Sequence, residues 1–572
     1  MILQALVRYY ESLVKQGKIA RLGWVKTRIS YALCIDEHGH LEKVTLLLID
    51  PEQKSVQSFD LPAPVKRTSG IKPNFLWDNA AYMLGVDAKG KPERSVKCFE
   101  ASRAFHHQLL DKVDSPVARG ITAFFDNWKP SETKDHPALQ ENFEEVIAGR
   151  NLLFCVNGTF AQEDETICQA WQEHYDRREG ERQQCLVTGK EDIIEVVHPA
   201  IKGVDGAQST GAALVSFNAP AFCSYGHEQG YNAPVGKYAA FAYTSALNYL
   251  LADWKNVVKI GDMTIVCWAE GAEAQYQELT RQAVYGTQED TLGEDVVRCI
   301  VKRLAEGKPA AEPNLMPDKP FYVLGLSPNA ARLSVRFFYQ GTFGNLMKNI
   351  NAHYERMEID RASFDKWETI PPWLMLKETV NPFAADKKPS PILAGATVRS
   401  IFFGDPYPAM LLEQTMLRIH AERDVNRGKA SIIKAYYLTN KNEDCPEEVL
   451  TVALNEASTN PAYTLGRLFS VYEALQTAAN PGINTTIKDK YFNAAAATPA
   501  TIFPLLTNLS QKHLRKLDYG LRVWYENQIM ALMAVFGETF PEHLNLAQQA
   551  AFDLGYYHQT RKRYEKKEKE SV

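Results

Sequence analysis

Apolar and polar residues alternate along Val25-Lys26-Thr27-Arg28-Ile29-Ser30-Tyr31-Ala32-Leu33 and again from Leu41 to Ile49, with the polar run Asp36-Glu37-His38-Gly39-His40 between them. Period-two alternation on both sides of a turn signal predicts a β-hairpin. The turn Asp50-Pro51-Glu52-Gln53-Lys54 leads to a third strand, Ser55 to Leu61, and Leu61-Pro62-Ala63-Pro64 ends the sheet because proline has no amide hydrogen for a ladder. Helical spacing follows around Ser95 to Lys112, Gln162 to Arg178 and Lys237 to Ala252, with an exposed charged connection at Glu179 to Gln183. Strands are expected at Met263 to Trp268, Phe321 to Leu326 and Arg332 to Tyr339. In the last of these Leu333, Val335 and Phe337 share one face, and Arg332, Ser334 and Arg336 share the other. Such a strand can bury one side and offer guanidiniums on the other, although an ordinary solvated sheet face has the same spacing.

Beyond about Leu450 the pattern is almost wholly helical. Leu465, Leu468, Phe469, Tyr472 and Leu475 recur at helical spacing, as do Leu514, Leu517, Leu521 and Trp524. Opposite the second stripe, Lys512, Arg515, Lys516 and Arg522 are expected on one helix face. A solvated charged face is the ordinary reading of such a set. Cations in line also suit a nucleic-acid backbone, because each phosphate contact releases counterions. The chain is therefore expected to be α+β and multidomain: a mixed N-terminal part with an antiparallel sheet, followed by a C-terminal helical bundle. Its segments are read as 1–110, a β-rich region; 111–449, a central α+β region with a Gly-rich loop; and 450–572, the helical bundle.

Composition narrows the function. The 572 residues are 45% hydrophobic and 23% charged, an ordinary globular balance. The opening residues lack the basic stretch and cleavage site of a signal peptide, and the longest strongly apolar run, Ile529 to Phe536, is too short to cross a bilayer; a cytoplasmic protein is expected. The nine cysteines include no C-x-x-C pair, which argues against a disulfide framework or a zinc finger. The net charge is -5, so basicity as a whole does not announce a nucleic-acid partner. Locally the balance differs: from Thr451 to the end there are 13 Lys+Arg against 11 Asp+Glu, and from Asp60 to Arg103 there are 8 basic against 5 acidic residues.

A search for catalytic chemistry finds no complete set. Gly206-Ala207-Gln208-Ser209-Thr210-Gly211 has the glycine spacing of a phosphate-binding loop, but Ala212 and Ala213 stand where Lys and Ser/Thr are required. The glycines still permit close approach to a phosphate or a neighbouring strand. Asp50 and Glu52 faintly match a nuclease pattern but lie in a turn signal. His106-His107, and Cys185 with His198, lack the companions of a metal site. A non-enzymatic recognition or scaffold subunit without cofactor or metal is expected.

Particular strings then carry a resemblance. Asn74-Phe75-Leu76-Trp77-Asp78-Asn79 with Tyr82-Met83-Leu84-Gly85, Cys185-Leu186-Val187-Thr188-Gly189, His198-Pro199-Ala200-Ile201-Lys202-Gly203-Val204, Gly404-Asp405-Pro406-Tyr407-Pro408 and Asn460-Pro461-Ala462-Tyr463-Thr464-Leu465-Gly466-Arg467-Leu468-Phe469 resemble the large subunit of the type I-C CRISPR surveillance complex, Cascade. The matches run in family order from about residue 70 to 470. The resemblance implies an RNA-guided role in which base pairing to the guide reads sequence, while this chain recognises the protospacer-adjacent motif in duplex DNA and helps separate the strands and hold the R-loop. It implies as partners the guide-RNA-bearing Cascade backbone subunits, double-stranded target DNA with its displaced single strand, a small subunit and a recruited helicase-nuclease.

On that reading Lys66, Arg67, Lys72, Asn74 and Asn79 are the first candidates for motif reading, and Lys202, Gln208, Ser209 and Thr210 the second. Arg332, Arg336, Lys512, Arg515, Lys516 and Arg522 are candidates for backbone contact. The alternatives are helix capping by Asn74 and Asp78 and a Gly-rich loop that only packs domains. The helical C-terminal region resembles the small subunit, which in this family is also made from an internal start. No methionine lies between Met416 and Met530, so a start near residue 450 would use a non-AUG codon at Val449, Leu450 or Val452. Two other classes remain open: a cryptic metal-dependent nuclease using Asp50, Glu52 and the 206–211 loop, and a purely structural scaffold.

Overall fold

The computed structural model describes residues 1–50, 55–65, 70–88, 91–177, 180–286, 293–310, 314–537 and 539–570. The chain divides into two units, Met1–Pro199 with Ser216–Ala246, and Ala200–Val215 with Leu247–Val572.

In the first unit the apolar run Asn151–Val156 is the central strand, with Leu152, Leu153 and Phe154 fully buried. It pairs in parallel with Tyr31–Ile35 and antiparallel with Trp77–Asn79, and Tyr31–Ile35 carries Leu41–Leu46 on its other edge. A strand buried on both faces has no reason to alternate, which is why the pattern of the sequence passed over it. The expected hairpin forms between Tyr31–Ile35 and Leu41–Leu46. The expected strand from Val25 to Leu33, however, breaks at Ile29-Ser30: Trp24–Arg28 pairs instead with Ser58–Pro62 in a separate ladder. Helices Pro92–Leu110, Pro116–Asn127 and Glu165–Asp176 cover the sheet. Pro116–Asn127 has Pro at its first position and a Ser115 hydroxyl accepting from the Val117 amide at 3.0 Å, a start in which the missing proline N–H leaves nothing unsatisfied. The charged connection near Glu181 is in part a small hairpin, Arg182–Gln184 with Glu191–Ile193.

The second unit opens with an antiparallel meander, Val257–Ile260, Met263–Ala269, Pro320–Asn329 and Arg332–Thr342 in spatial order. All seven residues of Met263–Ala269 are buried. A register shift opposite Gly325/Leu326 makes Arg336 the extra residue of the edge strand. The bulge leaves Val335 41% exposed while Leu333 and Phe337 are buried, so the regular two-faced strand read from the sequence is interrupted there. After Thr342 the described residues form helices. The early ones, such as Phe343–Met357 and Pro391–Phe403, pack on the sheet. Helix Arg427–Thr439 serves two cores: Ile432 and Ala435 join the sheet core, while Ile433 and Tyr437 join the core of the C-terminal helices.

The C-terminal core is centred on helices Pro461–Ala479 and Leu546–Glu570, which approach each other backbone to backbone. A Cβ on Gly466 would overlap the Phe552 carbonyl oxygen, and one on Gly555 would overlap the Tyr463 carbonyl oxygen. Phe469, Phe492, Phe552 and Tyr556 pack edge to face beside this crossing. Gly466→Ala and Gly555→Ala are each expected to lower stability by about 1–3 kcal/mol or more, as overpacked helix contacts do. The readout is an earlier urea midpoint, and an unchanged midpoint would mean that the helices can part without loss.

Four histidines are buried. In three of them Nδ1 meets a tyrosine hydroxyl: His198 with Tyr243 at 2.7 Å, His353 with Tyr407 at 2.7 Å, and His558 with Tyr463 at 2.9 Å. Their Nε2 atoms have no hydrogen-bond partner among the described residues. Burial pulls the pKa of His106, His198 and His558 down to about 4 and that of His353 to about 3. The folded state therefore holds these rings neutral where the unfolded chain protonates them, and stability present above the ordinary histidine pKa is lost as pH falls through the folded values. Asp553 and Glu378, whose carboxyls burial pushes up, act with the opposite sign. Burial also lowers the pKa of His136, His420 and His513, so the histidines outweigh the two carboxyls and the melting temperature is expected to drop steadily from about pH 6.5 toward about pH 4.5. A flat profile across that window would mean that the rings are not held neutral.

Candidate functional site

The Asn74–Asn79 string is a strap drawn into the first unit. Leu76 takes a left-handed conformation, φ 68°, and is fully buried. Its amide donates to His106 Nε2 at 2.9 Å, and its carbonyl accepts from the Phe154 amide at 3.4 Å. Because Nε2 accepts, the proton of His106 sits on Nδ1 and is donated to the Ser102 carbonyl at 2.8 Å. Phe75 stacks between His106, with ring centroids 5.2 Å apart, and Trp171, at 5.5 Å. Trp77 Nε1 donates to the Pro62 carbonyl at 2.9 Å. This bond ties the strap to Pro62, where the strand Ser58–Pro62 ends.

This placement sorts the first group of candidates. Lys66 and Arg67 lie outside the described residues. Lys72 is exposed, with its amide donating to the Tyr82 hydroxyl at 3.4 Å. Asn74 is 5% exposed; its Oδ1 accepts from the Val65 amide at 3.1 Å and its amide donates to Asp78 Oδ2 at 2.9 Å. Buried and engaged through both its side-chain oxygen and its backbone amide, Asn74 serves to hold the strap. The helix here starts at Ala80, and its cap is Asn79, whose Oδ1 accepts from the Ala81 amide at 3.1 Å. Asp78 instead receives the Asn74 and Asn79 amides.

In the second unit, Ile201 and Ala212 exchange backbone hydrogen bonds of 2.9 and 2.8 Å and close the 202–211 segment into a loop. Ala213 continues this ladder onto the sheet: its amide donates to the Ala331 carbonyl at 3.0 Å, and its carbonyl accepts from the Leu333 amide at 2.9 Å. The structure thereby brings the Gly-rich loop to the backbone of Arg332. Val204 is buried, and the Asp205 amide donates to Thr264 Oγ1 at 3.0 Å. The Asp205 carboxylate pairs with Lys259 at 2.9 Å, so the loop's own acid is neutralised. Lys202, Gln208, Ser209 and Thr210 are exposed. The side chains of Gln208, Ser209 and Thr210 have no hydrogen-bond partner among the described residues. A rigid base carrying solvated amide and hydroxyl groups is the chemistry of groove or phosphate contact. No helix follows the second glycine, so the arrangement is not a phosphate-binding loop of the nucleotide-hydrolase kind.

The cations proposed for backbone contact are less alike than their spacing suggested. Arg336 donates from Nε to Ser327 Oγ at 3.0 Å and lies 3.6 Å from Asp262. Lys512, Arg515, Lys516 and Arg522 do not share one helix face. Helix Pro499–Leu514 ends with Arg515 as its cap, and Asp518 starts a new helix, Tyr519–Met533, by accepting from the Leu521 amide at 3.0 Å. Lys516 Nζ donates to Asn480 Oδ1 at 2.6 Å, and Arg522 pairs with Glu526 at 2.9 Å. Lys512 and Arg515 are exposed and carry no ion pair among the described residues. The second apolar stripe fails at the same break: Leu521 is 46% and Trp524 43% exposed.

His106 is the residue that sequence reading set aside and that positions the strap; its burial facing Phe75 was the missed signal. For the nuclease alternative, the Asp50 side chain and the whole of Glu52 lie outside the described residues. Among the described residues no group of three or more His, Cys, Asp or Glu side chains is placed to hold a metal ion, and no helix is long and apolar enough to cross a membrane.

The loop's closure has a sharp test. Gly211 has φ 99°, and a Cβ there would lie 2.8 Å from Ala200 Cβ and 2.9 Å from the Ile201 carbonyl oxygen. Gly211→Ala is expected to open the Ile201–Ala212 pair at a local cost of about 1–3 kcal/mol, seen as faster hydrogen exchange at both amides. Unchanged exchange would show that the loop closes without the glycine.

Comparison with known proteins adds the family. The model of the family described as CRISPR-associated protein (Cas_Csd1) matches residues 6–564. No curated protein matches. The chain belongs to the CRISPR-associated Csd1 family.

Proposed function

From this membership we propose that the chain is the non-catalytic large subunit of a type I-C Cascade complex. It recognises the protospacer-adjacent motif in duplex DNA, promotes strand separation, stabilises the R-loop and helps recruit the helicase-nuclease. The observation that carries the DNA-contacting part is the 202–211 loop: a closed, hydrogen-bonded base with Gln208, Ser209 and Thr210 solvated at its tip and Lys202 at its foot. Amide and hydroxyl side chains read base edges in a groove, and a lysine beside them holds a phosphate. The acidic net charge of -5 fits a subunit that relies on guide-bearing partners for the long positive channel. In the first unit Lys72 is the exposed contact, while the buried Asn74 holds the strap. Lys512 and Arg515 remain the exposed C-terminal cations for the displaced strand.

The test is R-loop formation by the reconstituted guide-loaded complex on duplexes that differ only in the flanking motif. Replacing Gln208, Ser209 and Thr210 with alanine together is expected to reduce motif discrimination by about tenfold or more, the loss of one bidentate base contact. Lys72→Ala is expected to weaken all motifs alike and to lower the salt slope by about one. Unwinding by the triple variant with wild-type rate and preference would leave this chain a scaffold and place motif reading elsewhere.

A further inference from the structure

Arg467 sits on helix Pro461–Ala479 and is 8% exposed. Its Nε donates to Gln559 Oε1 at 3.1 Å, and Nη1 reaches the carbonyls of Asn455 at 3.4 Å and Glu456 at 3.3 Å. All these acceptors are neutral, and no carboxylate pairs with the guanidinium among the described residues. Burial lowers its pKa from the ordinary arginine value. A desolvated cation without an anion is an unfavourable arrangement, and an anion that reaches it is bound correspondingly well.

Such a place exists beside it. Helices Pro461–Ala479, Tyr519–Met533 and Leu546–Glu570 enclose a cavity of about 490 Å³ lined by Arg467, Ser470, Trp524, Gln528, Lys562 and Arg563, within the range of roughly 300–1,000 Å³ typical of small-ligand sites. Among the described residues the single acidic one on its wall, Glu456, is paired with Lys562. Lys562 answers that carboxylate, which leaves Arg467 and Arg563 on the wall with no ion pair among the described residues. Trp524 is 43% exposed and meets Tyr525 edge to face, with centroids 4.8 Å apart. An exposed indole beside unbalanced cations is the composition of a base-stacking platform with a phosphate seat.

We infer that this cavity seats one nucleotide of a single strand, its phosphate against Arg467 and Arg563 and its base against Trp524. The inference rests on the nucleic-acid role proposed above, and it uses residues distinct from the motif-reading loop. A protein carboxylate would answer the cations but leave the indole without a stacking partner, so the nucleotide fits both features.

The experiment uses the full chain, with a short oligothymidylate, thymidine monophosphate, inorganic phosphate and a glutamate-rich peptide as probes. Tryptophan fluorescence and melting temperature are the readouts. The oligothymidylate is expected to bind, and Trp524→Leu to weaken it by at least about fivefold, the effect of losing one stacked base. Arg563→Ala is expected to lower the salt slope by about 0.7, one phosphate contact on a single strand. Arg467→Met is expected to fold and to lose the stabilisation by inorganic phosphate; if it does not fold, the two other variants decide. Oligothymidylate affinity unchanged in both Trp524→Leu and Arg563→Ala overturns the inference. So does monophosphate binding that the oligonucleotide does not displace, or displacement of the oligonucleotide by the peptide. Loss of the Trp524 effect with intact motif discrimination in the assembled complex refutes this cavity alone. Intact Trp524-dependent binding with no role for Gln208, Ser209 and Thr210 refutes the motif-reading proposal alone.

Discussion

Burial of the Leu76 amide in a left-handed turn leaves it one acceptor, Nε2 of His106, and the first unit is arranged to keep that acceptor available. A charged imidazolium would donate at both nitrogens and lose the bond, so the ring must stay neutral. Phe75, Phe125 and Phe154 around it enforce neutrality by excluding water. The same bond fixes where the strap turns and therefore where Lys72 emerges. Aromatic packing, protonation state and presentation of a surface cation are here one constraint seen at three scales. An unpaired buried amide would lose the full desolvation free energy of that group, which is why so much apolar material converges on one histidine.

The second unit obeys the same rule with other partners. Lys434 is 4% exposed and donates to the Arg356 carbonyl at 3.1 Å, placing its charge at the C-terminal end of helix Phe343–Met357, where the helix dipole favours it. Lys429 is 2% exposed and pairs with Glu422 at 2.5 Å. Arg467, like Lys434, is held only by neutral acceptors, but it borders a cavity; two places are therefore open to a ligand. The 208–210 tip leaves its side chains to water, and Arg467 is buried without an anion. The first is open because a solvated loop tip carries no desolvation penalty; the second is incomplete in a way a ligand can repair. Both follow from the rule of polar satisfaction rather than from shape.

Elements with a period of their own were legible in the sequence. Helix Lys237–Ala252 and the helical character after residue 450 stand as read, and so does the α+β class with a helical C-terminal part; the hairpin around the 36–40 turn forms, with its first strand shifted to Tyr31–Ile35. What the sequence hid was decided by partners far along the chain. Trp24–Arg28 left the expected strand because Ser58–Pro62 offered it a ladder; Asn151–Val156 had no alternation to show; the Arg336 bulge depends on register with Gly325 and Leu326. The break at residues 515–518 did leave a signal, Asp518 three residues before Leu521, which a reading by stripe alone overlooks. The Gly-rich loop was visible from its glycines, but its ladder to Leu333 was not. Arg467 was invisible as a site, since an arginine on a helix ordinarily reads as a solvated face.

Helix Arg427–Thr439 sets a condition on any separate use of the C-terminal helices. Their core includes Leu412, Met416, Ile419, Ile433 and Tyr437, all before residue 450, in one cluster with residues such as Phe469 and Phe552 after it. A polypeptide starting near residue 450 would lack that cover and expose the apolar face it protects. Apolar patches of this kind are not left in water by soluble chains. Such a product therefore needs another subunit, or a second copy of itself, over the face that Ala409–Glu422 and Arg427–Thr439 occupy here. The Arg467 cavity is lined wholly by residues after 450, so a product starting there would carry every residue of its wall.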